Sequence, residues 1–337
     1  MLTRVAIVGC GYWGPNLIRN FFSSPHFRVG AVIDKDPARL ESVRAIYPSL
    51  PLSQDFSAAL AADIDLVVLA TPPETHHALG MAALDAGKHL LIEKPMALES
   101  GHCRELNLRA AAKGLRILVD HTFLFNPAIE YIKSAIVSGD LGDLRYFDST
   151  RINLGLFQER TNVVWDLAPH DFSIVDFLLD EKPATVAAVG AGHLDKDVEN
   201  LAYVTFTYAS GMICHFNFNW LSPVKVRKTL IGGSRKMILF DDTEPSEKLR
   251  VYDHGVERKP EGIKHSLLVD YRTGDIVIPK LPQVEALRKL VAHVHEVLHN
   301  GAPTAIGGDA GERIVRLVEA AQASMAQGGK PVAPVTA

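Results

Sequence analysis

The stretch Val5-Ala6-Ile7-Val8-Gly9-Cys10-Gly11-Tyr12-Trp13-Gly14 decides how the N-terminal part of this chain is read. Four apolar, mostly β-branched residues run straight into a GxGxxG string, and a helical window at about Pro15–Ser23 follows. Glycines in that spacing are weak evidence alone and informative between a strand and a helix. The first permits a tight turn, the second lets backbone approach a pyrophosphate, and the third lets helix pack on strand. A dinucleotide pyrophosphate then meets the free N–H groups and positive dipole end of the helix. Gly9, Gly11 and Gly14 are therefore read as cofactor-binding. Tyr12 and Trp13 lie inside the loop, against the cofactor or packed at the helix start.

Outward from this motif, near-continuously apolar runs recur at Val29–Ile33, Leu66–Ala70, His89–Ile92 and Ile117–Val119. Helical windows separate them at about Pro37–Ile46, Glu74–Ala86 and Ser100–Lys113, with Gly87 and Gly114 placed as left-handed caps. Alternating strand and helix with right-handed crossovers gives a doubly wound parallel α/β sheet of the Rossmann type. Asp34 ends the second run, 20 residues after Gly14. A carboxylate there accepts from ribose hydroxyls and repels a 2′-phosphate, which points to NAD over NADP, although Lys35 beside it softens the discrimination. Thr71 and Pro72 end the Leu66 run at the carboxyl edge, where such sheets place their ligand crevice. His76 is positioned to face the cofactor, with His77 on the surface.

After Asn126-Pro127 the pattern changes. A helix at Ala128–Ser138, a strand at Leu144–Asn153 and a helix at about Trp165–Leu179 precede several extended runs between Thr185 and Phe240. Ala202–Tyr208 and Met212–Leu221 flank Ala209-Ser210-Gly211, a hairpin signal. The expectation is an NAD-binding domain over 1–123 and an α+β domain over 124–337 with a large, mainly antiparallel sheet for substrate binding and oligomerisation. Two helices, about Gln283–His299 and Ala310–Ala326, close the chain.

Composition narrows the function. At 337 residues, 47% hydrophobic and 22% charged, the chain has the make-up of a globular protein of about two domains. A net charge of −4 disfavours nucleic acid as the main partner. Cys10, Cys103 and Cys214 are too sparse for a disulfide framework or zinc motif, so no metal is expected. No apolar stretch approaches the ~20 residues that span a bilayer, which excludes a membrane role and leaves a soluble, cytoplasmic protein as the expectation.

The chemistry-bearing residues cluster in two strings. Glu93-Lys94-Pro95 follows the His89 run at the same carboxyl edge, where a lysine lies near a nicotinamide and can donate to a substrate hydroxyl. Glu93 joins the cofactor side with it. Asp166 and His170 stand four apart in a helical window, hence on one face, where the carboxylate can orient the imidazole. Pro169 between them must fall in the first turn or kink the helix. His121 and Asn126, just past the Ile117 run, line the cofactor or substrate side. Arg151, Asn153, Gln158 and Asn162 are polar residues around the strand end and loop before this helix, candidates to bind a substrate. Lys225, Arg227 and Lys228 are candidate cations for an anionic group, or a solvated edge.

With these residues in view, the chain resembles the glucose–fructose oxidoreductase / inositol dehydrogenase / MocA family (Gfo/Idh/MocA), from about residue 3 to the final helix. The shared features are the GxGxxG, the acid ending the second strand, Thr-Pro before a histidine, Glu-Lys-Pro and Asp-x-x-x-His. The resemblance implies an NAD(P)-dependent oxidoreductase in which Lys94 and His170 flank the reacting carbinol, with Asp166 in support. The strings His121-Thr-Phe-Leu-Phe-Asn-Pro127 and Trp165-Asp-Leu-Ala-Pro-His-Asp-Phe-Ser173 look like the branch acting on nucleotide sugars, especially UDP-N-acetyl sugar 3-dehydrogenases. Inositol or free-sugar oxidation, the reverse reduction of a keto-sugar, and an NAD-binding sensor are the alternatives. In the hairpin Ala202–Leu221 one alternating face is apolar, and the other carries aromatic and small polar residues with few charges. That composition suits an interface core. Members of the resembled family often pair through this face, so a homodimer or homotetramer is expected.

Overall fold

The computed structural model describes residues 2–155, 161–194, 198–258 and 269–334. The chain divides into two compact units, one of residues 1–126 with 284–316 and one of residues 127–283 with 317–337.

The first unit is built on a six-stranded parallel sheet: Thr3–Val8 (β1), Phe27–Ile33 (β2), Leu52–Ser53 (β3), Leu66–Leu69 (β4), His89–Glu93 (β5) and Ile117–Asp120 (β6). The strand order β3-β2-β1-β4-β5-β6 is the Rossmann order, with its switch point between β1 and β4. Helices Gly14–Ser23 (α1), Pro37–Ile46 (α2), His76–Asp85 (α3) and Ser100–Ala112 (α4) connect the strands. The core of β1 and β4 is wholly apolar and buried, as a strand covered on both faces requires. Gly87 and Gly114 hold φ of +77° and +66° just past α3 and α4, the left-handed caps that their positions signalled.

The second unit opens with Pro127–Val137 (α5), Leu144–Leu154 (β7) and Val163–Leu178 (α6). It continues with strands Thr185–Ala191 (β8), Leu201–Thr207 (β9), Ile213–Asn219 (β10), Leu221–Gly233 (β11), Met237–Asp241 (β12), Leu249–Tyr252 (β13), Gly255–Arg258 (β14), Val269–Arg272 (β15) and Ile276–Val277 (β16). Eight of these strands form one sheet in the order β16-β13-β12-β11-β7-β10-β9-β8. Every pairing is antiparallel except β7 with β10, which run parallel at the centre. The β9–β10 hairpin turns through Gly211 at φ +87°.

Period-2 alternation sorts the faces of this sheet. Val204, Phe206, Cys214, Phe216, Phe218 and Trp220 point inward, and Phe172 of α6 meets Phe206, Phe216 and Phe218 at ring centroids 4.6, 5.1 and 6.0 Å away. Deleting such a ring costs roughly 3–5 kcal/mol. Tyr203, Thr205, Thr207, Ile213 and His215 occupy the opposite face, as the alternation implies.

The last segment carries Ala286–Asn300 (α7), which belongs to the first unit, and Gly308–Ala326 (α8), within which the division between units falls. Glu285 just before α7 holds Arg19 of α1 at 2.6 and 2.9 Å, and His295 of α7 stacks on His26 at 4.2 Å.

Candidate active site

In the first unit the glycine loop has the geometry that its sequence requires. Gly9 has φ +100°, and a Cβ on it would lie 2.4 Å from the Ala70 carbonyl oxygen. A Cβ on Gly14 would lie 2.1 Å from the Gly9 oxygen, so any side chain there would push α1 off the turn. Gly11 faces open space, with only Arg39 Nη1 near, 3.7 Å from where a Cβ would stand. Helix α1 has no side-chain cap, whereas α2 and α6 are capped by Asp36 and Asn162. An uncapped helix start above an open glycine is a cradle that fits a pyrophosphate.

Asp34 is buried at the end of β2, with Oδ2 accepting from Cys10 N at 2.6 Å and Oδ1 from Asp36 N at 2.9 Å. The cation beside it is Arg39, 3.7 Å from Asp34 and 3.5 Å from Asp36. Sequence adjacency singled out Lys35, but the turn into α2 brings the first-turn side chain of Arg39 back instead. Cys10 lies against Asp34, and burial together with that carboxylate pushes its thiol up to about 12. It is an inert thiol.

Tyr12 is largely exposed, and Trp13 donates Nε1 to Asp120 Oδ2 at 2.7 Å. Asp120, which no motif signalled, is fully buried at the end of β6 and also accepts from Thr122 Oγ1. Burial raises its pKa, while the bonds from Thr122 and Trp13 and the charge of Lys94 oppose that rise. His121 is buried beside it and Asn126 is half-buried. Thr75 Oγ1 donates to the Pro72 carbonyl and pairs with Thr71 Oγ1, both at 2.7 Å. Lys94 donates its backbone N–H to Glu93 Oε2 at 2.7 Å, and the Lys94–Pro95 peptide bond is cis. His76 is not presented to a ligand as the sequence suggested: it is wholly buried, with both ring nitrogens on backbone carbonyls.

In the second unit Asp166 and His170 are half-buried on α6. Trp220 donates Nε1 to Asp166 Oδ2 at 3.0 Å, and the helix runs on through Pro169, which lies beyond the first turn. Losing one N–H bond is tolerated because the opposite face is buried from Val163 to Leu178. Directly behind His170, Asp171 forms a buried ion pair with Arg151 of β7, at distances of 2.7, 3.1 and 3.2 Å.

Two sequence-predicted substrate residues are thus engaged internally. Arg151 is the buried partner of Asp171, and Asn162 is the N-cap of α6. The Asn162 amide accepts from Val164 N and Trp165 N and donates to Glu199 and Gln322 at 2.8 Å. Asn153 is half-buried and donates to the Leu154 carbonyl, and Gln158 lies outside the described residues. Arg227 and Lys228 pair with Asp242 and Asp241, and Lys225 is exposed. Among the described residues no group of three or more His, Cys, Asp or Glu is arranged to hold a metal ion. No described helix is long and apolar enough to cross a membrane.

Comparison with known proteins gives the family. The family model of the oxidoreductases with an NAD-binding Rossmann fold, GFO_IDH_MocA, matches residues 3–121, and the GFO/IDH/MocA C-terminal domain matches residues 129–239. The chain belongs to the Gfo/Idh/MocA oxidoreductase family. Its cofactor is NAD, and its reaction class is oxidoreduction. Among family relatives, UDP-N-acetylglucosamine 3-dehydrogenase of Acidithiobacillus ferrooxidans is 26% identical over 330 residues, 93% of this chain and 94% of that one. Inositol 2-dehydrogenase of Rhizobium meliloti is 25% identical over 339 residues, 97% and 98% of the two chains. A 1-carboxy-3-chloro-3,4-dihydroxycyclohexa-1,5-diene dehydrogenase of Comamonas testosteroni is 28% identical, over 55% of this chain and only 49% of its own. The solved structure of the Acidithiobacillus enzyme superposes with a TM-score of 0.81 at 22% identity, covering 97% of this chain and 99% of that one. That likeness shows the fold.

Proposed function

We propose that this oxidoreductase is a dehydrogenase of a sugar ring carbinol, and that its substrate is a nucleotide-linked N-acetyl sugar oxidised at carbon 3. The observation that carries the reading is the pair of chemistry-bearing strings on rigid supports. Lys94 follows β5 in a turn fixed by Glu93, and Asp166 and His170 share α6 with Asp166 held by Trp220. Lys94 is assigned to proton transfer at the ring hydroxyl, and His170 is assigned acid–base work with Asp166 orienting its imidazole. Gly9, Gly11 and Gly14 hold the pyrophosphate of NAD, and Asp34 accepts from its ribose. When bound, NAD accepts the hydride from the same carbon. Asn126, Asn153 and Gln158 are assigned to the sugar, whereas Arg151 and Asn162 serve the ion pair with Asp171 and the cap of α6.

The nucleotide-sugar assignment is supported by the nearly full-length similarity to the UDP-N-acetylglucosamine enzyme. A second reading, an inositol dehydrogenase, is favoured by an equally long match to the Rhizobium enzyme. NADH formation measured against UDP-N-acetylglucosamine, its uronate, inositols and free hexoses separates the two. Turnover is expected on the UDP sugars, turnover on inositol alone selects the second reading, and NAD binding with no turnover at all leaves a sensor.

We also propose that the chain is a homodimer, or a tetramer of dimers, through the outer face of the eight-stranded sheet. Tyr146, Tyr203, Ile213 and Val189 are exposed there. Light scattering at micromolar concentration is expected to give at least twice 36.8 kDa, and a monomer mass rejects the assembly.

A further inference from the structure

His76 opens α3 with no exposed surface, and its ring lies between two turns at the carboxyl edge of the parallel sheet. Nδ1 is 2.9 Å from the carbonyl oxygen of Pro95, the residue after Lys94. Nε2 is 2.9 Å from the carbonyl oxygen of Thr71. The Ala70–Thr71 turn is the backbone against which Gly9 packs, with Ala70 O and Thr71 N at 2.4 and 3.0 Å from a Cβ position on that glycine. One imidazole therefore touches both the turn that carries Lys94 and the turn that buttresses the dinucleotide loop.

An imidazole is a costly way to fill space, because a buried polar ring without hydrogen bonds loses its hydration for nothing. A leucine or phenylalanine would fill the gap without that cost. Its presence between two carbonyls is explained by what it does to them. We infer that His76 is a positioning residue that sets the spacing between the Lys94–Pro95 turn and the Ala70–Thr71 turn, acting on the cofactor through Thr71 and on the proton-transfer group through Pro95. The effect on proton transfer rests on the proposed role of Lys94, and the effect on the cofactor does not. Burial holds the ring below the pKa of a free imidazole, with the two carbonyls and Glu74 opposing. A neutral ring has one N–H, so only one of the two carbonyls receives a full hydrogen bond at a time and the ring otherwise acts as a rigid spacer.

Two conservative variants separate the two sides of the ring. Asparagine places its amide near the position of Nδ1, and glutamine places its amide near Nε2. His76→Asn keeps a donor for the Pro95 carbonyl and leaves Thr71 without one; in His76→Gln the reverse holds. His76→Phe serves neither carbonyl. NAD binding to the full chain is followed by titration calorimetry, which needs no sugar. His76→Phe and His76→Asn are expected to raise the Kd for NAD about tenfold with one site per chain retained, because neither keeps a ring nitrogen against the Thr71 carbonyl. His76→Gln is expected to stay within about threefold of wild type.

Turnover with the sugar found by substrate screening, and its primary deuterium isotope effect, read the Pro95 side. His76→Gln is expected to lose roughly 10–100-fold in kcat with a larger isotope effect, as a displaced proton-transfer group makes hydride transfer slower. A residue needed only for folding would reduce the number of sites per chain and leave both Kd and isotope effect unchanged. That result overturns the inference, as does identical behaviour of the Asn and Gln variants. If the wild type turns over no sugar, the proposed function fails while calorimetry still decides the cofactor half.

Discussion

The two units hold their proposed functional side chains by different means. In the parallel sheet the residues are carried on turns, and backbone does the aiming: Gly9 against Ala70, Lys94 N–H on Glu93, and Asp34 on the N–H groups of Cys10 and Asp36. In the eight-stranded sheet they ride on a helix whose buried side is bonded to the strands by side chains, through Arg151–Asp171 and Trp220–Asp166. Turns set by glycine and peptide geometry leave a signature in the local sequence. A helix located by pairs twenty or more residues apart does not, and its side chains are tied to stability as well as to chemistry.

The largest effect expected from this contrast falls on chemistry alone. Lys94→Ala and His170→Ala are expected to lower kcat by ~10²–10⁴-fold, the usual range for a positioned acid–base group. NAD affinity and melting temperature should stay close to wild type, because Lys94 sits on a turn and His170 on the half-buried face of α6. Initial rates and NAD titration check this. A loss below tenfold would reduce either residue to packing.

The next effect separates the units by stability. Arg151→Met leaves the Asp171 carboxylate buried without its partner, which costs roughly 3–5 kcal/mol. Arg151→Met with Asp171→Leu removes both charges and is expected to recover most of that loss. Breaking Arg19–Glu285 in the first unit by Arg19→Ala should cost under about 1 kcal/mol, because both side chains are more than 40% exposed. Urea unfolding compares the three. Equal losses for the two single variants would mean that the buried pair is no special anchor for α6.

The same contrast accounts for what could be read in advance. The glycine loop, the acid ending β2 and the turn after β5 follow from local spacing, and the structure places each at the carboxyl edge of its sheet. Periodicity also gave the two faces of the β9–β10 hairpin. It could not show that β7 and β10 pair in parallel across an intervening helix and hairpin, because registry between distant strands has no local mark. Arg151 and Asn162 looked like open donors because their partners, Asp171, Glu199 and Gln322, lie up to 160 positions away. Asp120 carries no motif, and the only hint was its place at the end of an apolar run beside His121. Arg39 was discoverable: Asp36-Pro37 signals a capped helix start, and a first-turn residue there points back at the strand end.

Cofactor preference gives a smaller effect in the first unit. Asp34→Ala should weaken NAD by about tenfold and narrow its lead over NADP, because the ribose loses a charged acceptor and Arg39 loses one of its two counter-charges. Arg39→Ala should leave NAD nearly unchanged and weaken NADP. Fluorescence titration with both reduced nucleotides reads this. A wild type that prefers NADP would show that Arg39 dominates the site and that the carboxylate does not.

The smallest effect per residue, and the one that tests the units against each other, is on acid stability. Burial lowers the pKa of His76, His89, His293 and His295, and all four belong to the first unit. At His295 the neighbouring rings of His26 and His299 act in the same direction, while Glu296 opposes. A free imidazole titrates near 6.5, so between that value and the lowered folded values the unfolded chain binds more protons than the folded one. Folding stability must then be fullest above about pH 6.5 and fall as the pH drops below it. Asp120 acts in the opposite sense: burial raises its pKa, so its contribution is present at low pH and lost as the pH rises through the folded value. All four histidines therefore favour a loss of stability on acidification below about pH 6.5. Calorimetry at pH 7.5 and 5.5 should show a melting temperature lower by several degrees at the acid value. Hydrogen exchange at pH 5.5, corrected for the intrinsic rate, should open β2, β5 and α7 before β9, β10 and α6. Earlier opening of the eight-stranded sheet would place the acid-labile element in the other unit and refute the assignment.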